Sequence, residues 1–192
     1  YFAMTDPNTL VRGLWKSNGS VLATQVGSFT SVASLGVSNG VLYFFADSAN
    51  GIEPYRSLGD AASTVLLKDL VPGAGSSAPS FGSFYPVGSR TLFVADDGVN
   101  RAQLWTTDGT AANTGPLQPS ANGTSGSIAI TPVAAAIGSR LFFAGTDGVS
   151  GIELWSSDGT PAGTAPLKDI ATGSASSSPS LFTVVKGTTL NT

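Results

Sequence analysis

The 192-residue sequence contains no cysteine and no histidine, and only 11% of its residues are charged. Without cysteine there are no disulfides, no thiolate metal sites and no thiol nucleophile, and the redox compartment is left open. Without histidine as well, Ser-His-Asp and Cys-His arrangements and the usual zinc and copper ligand sets are excluded, which leaves carboxylate, hydroxyl or lysine chemistry. The nine Lys and Arg residues are spread thinly in a chain of net charge −3. They form no basic stripe, so neither nucleic acid nor an anionic membrane surface is an expected partner. No apolar run approaches the roughly 18 residues of a membrane span, so no membrane insertion is expected, and no charged start followed by an apolar stretch resembles a signal peptide. Tyr1 opens the chain within a strand-like pattern, which reads as a processed or excised piece.

What is present is a repeat. The chain is 41% hydrophobic, enough for a folded core, and rich in glycine, serine and threonine. It runs four times through an apolar strand, an Asp turn, an aromatic strand and a Gly turn, at a period of about fifty residues. The clearest copy spans Leu141 to Thr160 and continues through Ala165 to Ile170; the others align at Leu92 to Thr110, Leu42 to Asp60 and Tyr1 to Ser20. One such unit cannot bury both faces by itself, so the period predicts an all-β β-propeller or related array of four-stranded antiparallel blades. The units fall at approximately 1–29, 30–79, 80–127 and 128–179 of a single domain covering 1–192.

In the last full unit the four strands are predicted at Ile130 to Ile137, Leu141 to Ala144, Ile152 to Ser156 and Ala165 to Ile170. The third unit gives Ser83 to Val87, Thr91 to Ala95, Ala102 to Thr106 and a weak edge strand near Pro116 to Pro119, where prolines tolerate a missing N–H. Leu181 to Val185, with a stub at Thr188 to Leu190, reads as a first strand that completes the unit begun at Tyr1. That expectation allows a closed four-blade ring. Equally open are a cut from a longer array and two chains that together build a larger propeller. The Ser/Gly/Pro-rich stretches Val71 to Pro79, Thr172 to Pro179 and, in divergent form, Pro119 to Ser127 recur at one phase and read as crossovers between blades.

The strings Glu153 to Thr160 and Gln103 to Thr110, with their Leu-Trp and Asp-Gly-Thr, resemble the bacterial ELWxxDGT repeat family. The likeness covers essentially the whole chain and is strongest in the last unit. The second unit departs from it with Glu53, Pro54, Tyr55 and Leu58, Gly59, Asp60, and the first with Gly13, Leu14, Trp15 and Asn18, Gly19, Ser20. The resemblance implies propeller blades of secreted or surface proteins in bacteria and carries no activity with it.

Two recurring side-chain series are candidate ligand-binding residues. Trp15, Tyr55, Trp105 and Trp155 hold one phase of the repeat. They read as wedges between blades or as stacking platforms for sugars, and an apolar neighbour such as Leu104 or Leu154 puts one of each pair in the core. Asp6, Asp47, Asp97 and Asp147 stand eight or nine residues before the aromatic. They read as Asx turns, or as acceptors for sugar hydroxyls or calcium, for which Asp47, Asp97 and Asp147 are the named positions. Glu153 has the equivalents Gly13, Glu53 and Gln103, a variation that argues against a required ligand or acid. Asp147 with Glu153, and Asp96 with Asp97, are carboxylate pairs of the kind glycoside hydrolysis uses, yet nothing marks either pair as unique. Asp108 to Thr110 and Asp158 to Thr160 read as hairpin turns. Asn18 to Ser20 and Asn122 to Thr124 match the glycosylation acceptor pattern and read as turns in a bacterial chain.

The expected function is therefore a non-catalytic binding or scaffold module of an extracellular or cell-surface protein, needing no cofactor and no metal unless calcium. Its expected partner is a protein or a glycan held by loops on one face. A carbohydrate-binding propeller lectin with repeated sites is one alternative. A propeller whose parent enzyme carries the catalytic groups elsewhere, and an oligomer of incomplete rings, are the others.

Overall fold

A computed structural model describes residues 1–10, 12–19, 23–78, 83–99, 102–117 and 129–184. These residues are all β and turn, without a helix. Sheet 1 contains β1 (Phe2–Thr5), β2 (Arg12–Lys16) and β3 (Thr24–Ser28). Sheet 2 contains β4 (Val32–Ser38), β5 (Val41–Ser48), β6 (Gly51–Ser57) and β7 (Val65–Leu66). Sheet 3 contains β8 (Tyr85–Val87), β9 (Arg90–Asp96), β10 (Ala102–Thr107) and β11 (Gly115–Pro116). Sheet 4 contains β12 (Ala129–Ile137), β13 (Arg140–Thr146), β14 (Glu153–Ser157) and β15 (Ala165–Lys168). In each sheet the strands lie side by side in chain order and antiparallel, as short turns between β-branched and aromatic runs dictate. No sheet closes on itself.

The ladders align the four units residue by residue. Phe2 faces Trp15, Phe44 faces Tyr55, Phe93 faces Trp105 and Phe143 faces Trp155 across the central strand pair. Because side chains alternate along a strand, each such pair lies on one face of its sheet, and Leu14, Leu104 and Leu154 fall on the other. Three cores result, each made between consecutive sheets. Leu14 and Val26 of sheet 1 pack on Leu42, Phe44 and Tyr55 of sheet 2. Tyr43, Phe45, Leu67 and Leu70 of sheet 2 pack on Phe84, Phe93 and Trp105 of sheet 3. Val94, Leu104 and Leu117 of sheet 3 pack on Leu141, Phe143 and Trp155 of sheet 4. Burying one such aromatic or leucine side chain contributes about 1.5–3 kcal/mol, so the sheet-to-sheet junctions hold the array together.

Sequence reading and structure part at the edges. The third unit's outer strand is only Gly115–Pro116 among the described residues. The closing strand expected at Leu181 to Val185 is not formed over 181–184, and the first sheet has three strands among the described residues. Leu181, at the start of that run, takes a left-handed φ of +56°, as does Ser178 before it at +47°. Val185, Thr188 to Leu190, the connection Pro119 to Ser127 and the Asn122 to Thr124 acceptor pattern lie outside the described residues.

Candidate functional site

Within the repeat signature, the glycines, glutamates and Asp-Gly-Thr turns have structural tasks. In sheet 2 the backbone at Gly51 lies against Gly75 of the following crossover, and in sheet 4 Gly151 lies against Ala175 in the same way, contacts that leave no room for a Cβ. Two residues on, a buried glutamate ties that crossover down. Glu53 accepts hydrogen bonds from the Leu70 N–H (2.9 Å), the Val71 N–H (3.3 Å) and the Ser77 hydroxyl (2.7 Å). Glu153 accepts from the Ile170 N–H (3.0 Å), the Ser177 N–H (2.9 Å) and the Ser177 hydroxyl (2.7 Å). A buried carboxylate needs such donors, and these come from the chain segments that must be held. Burial pushes the Glu53 carboxyl above its ordinary value, whereas the Ser177 hydroxyl holds Glu153 below it. The difference follows the packing, because sheet 3 covers the Glu53 crossover and buries Leu70 while Ile170 stays exposed. In sheet 3 the position is Gln103, whose amide donates to Asp97 instead (3.0 Å).

The Asp-Gly-Thr turns are equally local. Asp108 accepts from the Thr110 N–H (2.9 Å) and hydroxyl (2.7 Å), and Asp158 repeats both bonds with Thr160 at the same distances. Those hydroxyls hold both carboxyls below the ordinary aspartate value. The central glycines need a left-handed backbone, with φ +94° at Gly109 and +86° at Gly159, and each presses on the preceding sheet.

Burial takes Trp105 and Trp155 out of the candidate ligand-binding set and places most of Tyr55 in a core, with an edge on a cleft. Tyr55, Trp105 and Trp155 are core residues of the three junctions, and Trp105 donates its indole N–H to the Ala95 carbonyl (3.1 Å). Stacking pairs Trp105 with Phe93 and Trp155 with Phe143, at ring-centre separations of 6.3 and 6.4 Å. Trp15 alone is half-buried. The aspartate series divides as well. Asp6, Asp97 and Asp147 share one register position and make Asx turns, each accepting a backbone N–H from two residues on, at 2.7, 2.9 and 2.9 Å. Asp47 does not belong with them: counted from Phe44, the equivalent residue is Ser48, which accepts the Asn50 N–H (3.2 Å). The second unit's hairpin is one residue shorter than those of units three and four, so counting back from the aromatic slips the register. Among the described residues no three or more His, Cys, Asp or Glu side chains gather where they would hold a metal ion.

The structure opens instead between sheets 1 and 2. A groove of about 670 Å³ is lined by Leu10, Arg12, Phe29, Thr30, Asp47 and Ser48. Ser28 and Phe29 also line a neighbouring cleft of about 410 Å³ that reaches Gln25, Tyr55 and Thr64. The wall between the two is fixed by backbone: the Phe29 N–H donates to the Arg12 carbonyl (3.1 Å), and the Thr30 N–H to the Asp47 carbonyl (3.3 Å). Phe29 packs edge-on against Phe44 and Tyr55, at 5.6 and 4.9 Å between centres. Arg12 shares a strand face with Leu14, which points at sheet 2, so its exposed guanidinium stands over the groove with no partner among the described residues. Units two, three and four carry Ile52, Ala102 and Ile152 at the Arg12 position, which makes this cation peculiar to the first junction. Arg12 carries no repeat signal in the sequence, because the other three units have other residues at its position. No family model matches this chain, and no curated protein matches it.

Proposed function

We propose that the four sheets are blades of a β-propeller or propeller-like array, serving as a non-catalytic binding module of a secreted or surface-attached protein. The ligand occupies the groove between sheets 1 and 2. One observation carries this reading: the recurring Glu and Asp and the buried aromatics serve latches, turns and cores, while the groove presents Arg12, a cation no other unit carries at that position. A guanidinium with no partner among the described residues, beside Thr30, Ser48 and the Asp47 carboxylate, suits a hydroxyl-rich ligand with one anionic group: Arg presents a fixed fork to a carboxylate, and Asp47 and the hydroxyls exchange hydrogen bonds with sugar hydroxyls. A glycan bearing a carboxylate is the ligand class of best fit. The extracellular setting rests on the resemblance of the repeats alone. The test is a glycan array, with and without calcium, probed with the wild-type chain and with Arg12→Ala. Acidic-glycan binding that drops at least tenfold in the variant is the expected result. Absence of any glycan binding, or binding indifferent to Arg12, sinks the reading.

A further inference from the structure

The three junctions use the same two faces each time, and among the described residues each end of the array leaves one of them uncovered. On the face turned to the next sheet, Leu67 and Leu117 are 2% and 1% exposed, while their counterpart Leu167 in sheet 4 is 52% exposed. Leu70 is 7% exposed and its counterpart Ile170 58%. Phe142 and Leu154 share this outer face of sheet 4 and are only half-buried, as alternation from Phe143 and Trp155 requires.

The outer face of sheet 1 is the complementary half. Phe44, Phe93 and Phe143 are buried with their aromatic partners against the preceding sheet, whereas Phe2, Met4 and Trp15 remain half-buried. A second observation agrees. A side chain at Gly59, Gly109 or Gly159 would meet the sheet before it, at Tyr1, Tyr43 and Arg90 with Leu92 respectively, but at Gly19 it would meet nothing within 4 Å.

We propose that a second copy of this chain covers these faces, sheet 4 of one copy docking on sheet 1 of the other as sheets 1, 2 and 3 dock on their successors. The contact continues an interface the molecule already makes three times, with Leu167 and Ile170 entering where Leu67 and Leu70 enter sheet 3. It is heterologous, joining unlike surfaces, so two copies that meet at both ends close a ring of about eight blades, within the propeller range. The inference does not depend on the groove ligand, which lies at an internal junction.

The experiment is light scattering on the eluting wild-type chain across a concentration series, with Leu167→Glu as the sheet 4 variant and Trp15→Glu as the sheet 1 variant. Gly19→Asn is a second sheet 1 variant, since Asn accepts a positive φ and its side chain protrudes where the partner must approach. Circular dichroism checks that each variant is folded. A wild-type dimer, monomeric single variants, and a mixed dimer recovered when Leu167→Glu is combined with a sheet 1 variant is the expected set, because that mixture retains one intact pair of unlike faces. A wild-type monomer at every concentration, a dimer that survives the substitutions on both faces, or variants that fail to complement each other overturns the proposal.

Discussion

Trp155 shows what a recurring residue does here. It is buried between sheets 3 and 4 and stacked on Phe143. Trp155→Ala is expected to cost about 3–5 kcal/mol of stability, read as a lowered urea midpoint, because the cavity has no neighbour to fill it. Substitution of a sugar platform would leave that midpoint unmoved. The two glutamate latches give a pH signature of opposite signs. Glu153 titrates below its ordinary value when folded, so it stabilises the fold above the unfolded pKa, and that contribution is lost as pH falls through the depressed one. Glu53 titrates above its ordinary value when folded, so its contribution is present below the unfolded pKa and disappears as pH rises through the raised one. Urea titrations at stepped pH should therefore show Glu153→Gln flattening the acid-side loss of stability, while Glu53→Gln flattens a loss on the other side of the carboxylate range. Identical profiles for the two variants would contradict the assignment.

Among the elements, the Asp-Gly turns separate backbone cost from packing cost. Within a single copy, Gly19→Ala meets only a left-handed backbone, φ +92°, with nothing within 4 Å of the added Cβ. It should cost roughly 1–2 kcal/mol. Gly109→Ala meets the same strain, φ +94°, and its Cβ would lie 3.0 Å from the Tyr43 hydroxyl, so its loss in a denaturation series should be larger. At this scale much was legible from sequence. Strand order, antiparallel pairing and turn positions followed from a period that alternates apolar runs with Gly and Asp. The Asp47 register did not, because one residue fewer in a hairpin leaves the motif readable and shifts the alignment. Nor did the role of Glu53 and Glu153, whose donors lie 17 and 24 residues downstream in a crossover with no apolar pattern. The groove was illegible for a third reason: its Arg12 and Phe29 come from sheet 1 and its Asp47 and Ser48 from sheet 2, and only stacked sheets bring the two sides together.

For the whole molecule, stability should be graded along the array. Sheets 2 and 3 are covered on both faces, sheets 1 and 4 on one, and repeat arrays gain stability from nearest-neighbour contacts. At dilutions where paired copies separate, hydrogen exchange followed by mass spectrometry should find peptides of β5, β6, β9 and β10 the last to exchange, after equivalent peptides from β1, β2 and β14. Uniform protection across all four sheets would mean that the ends are already covered in solution. The three tryptophans add an optical consequence. Sheet 2 carries Tyr55 at its aromatic position, so Trp15, Trp105 and Trp155 report on sheets 1, 3 and 4 separately, and the two buried indoles emit to the blue of the half-buried Trp15. A spectrum whose red component belongs to a single known residue lets the outer face of sheet 1 be watched without a label, through quenching by iodide as protein concentration is raised.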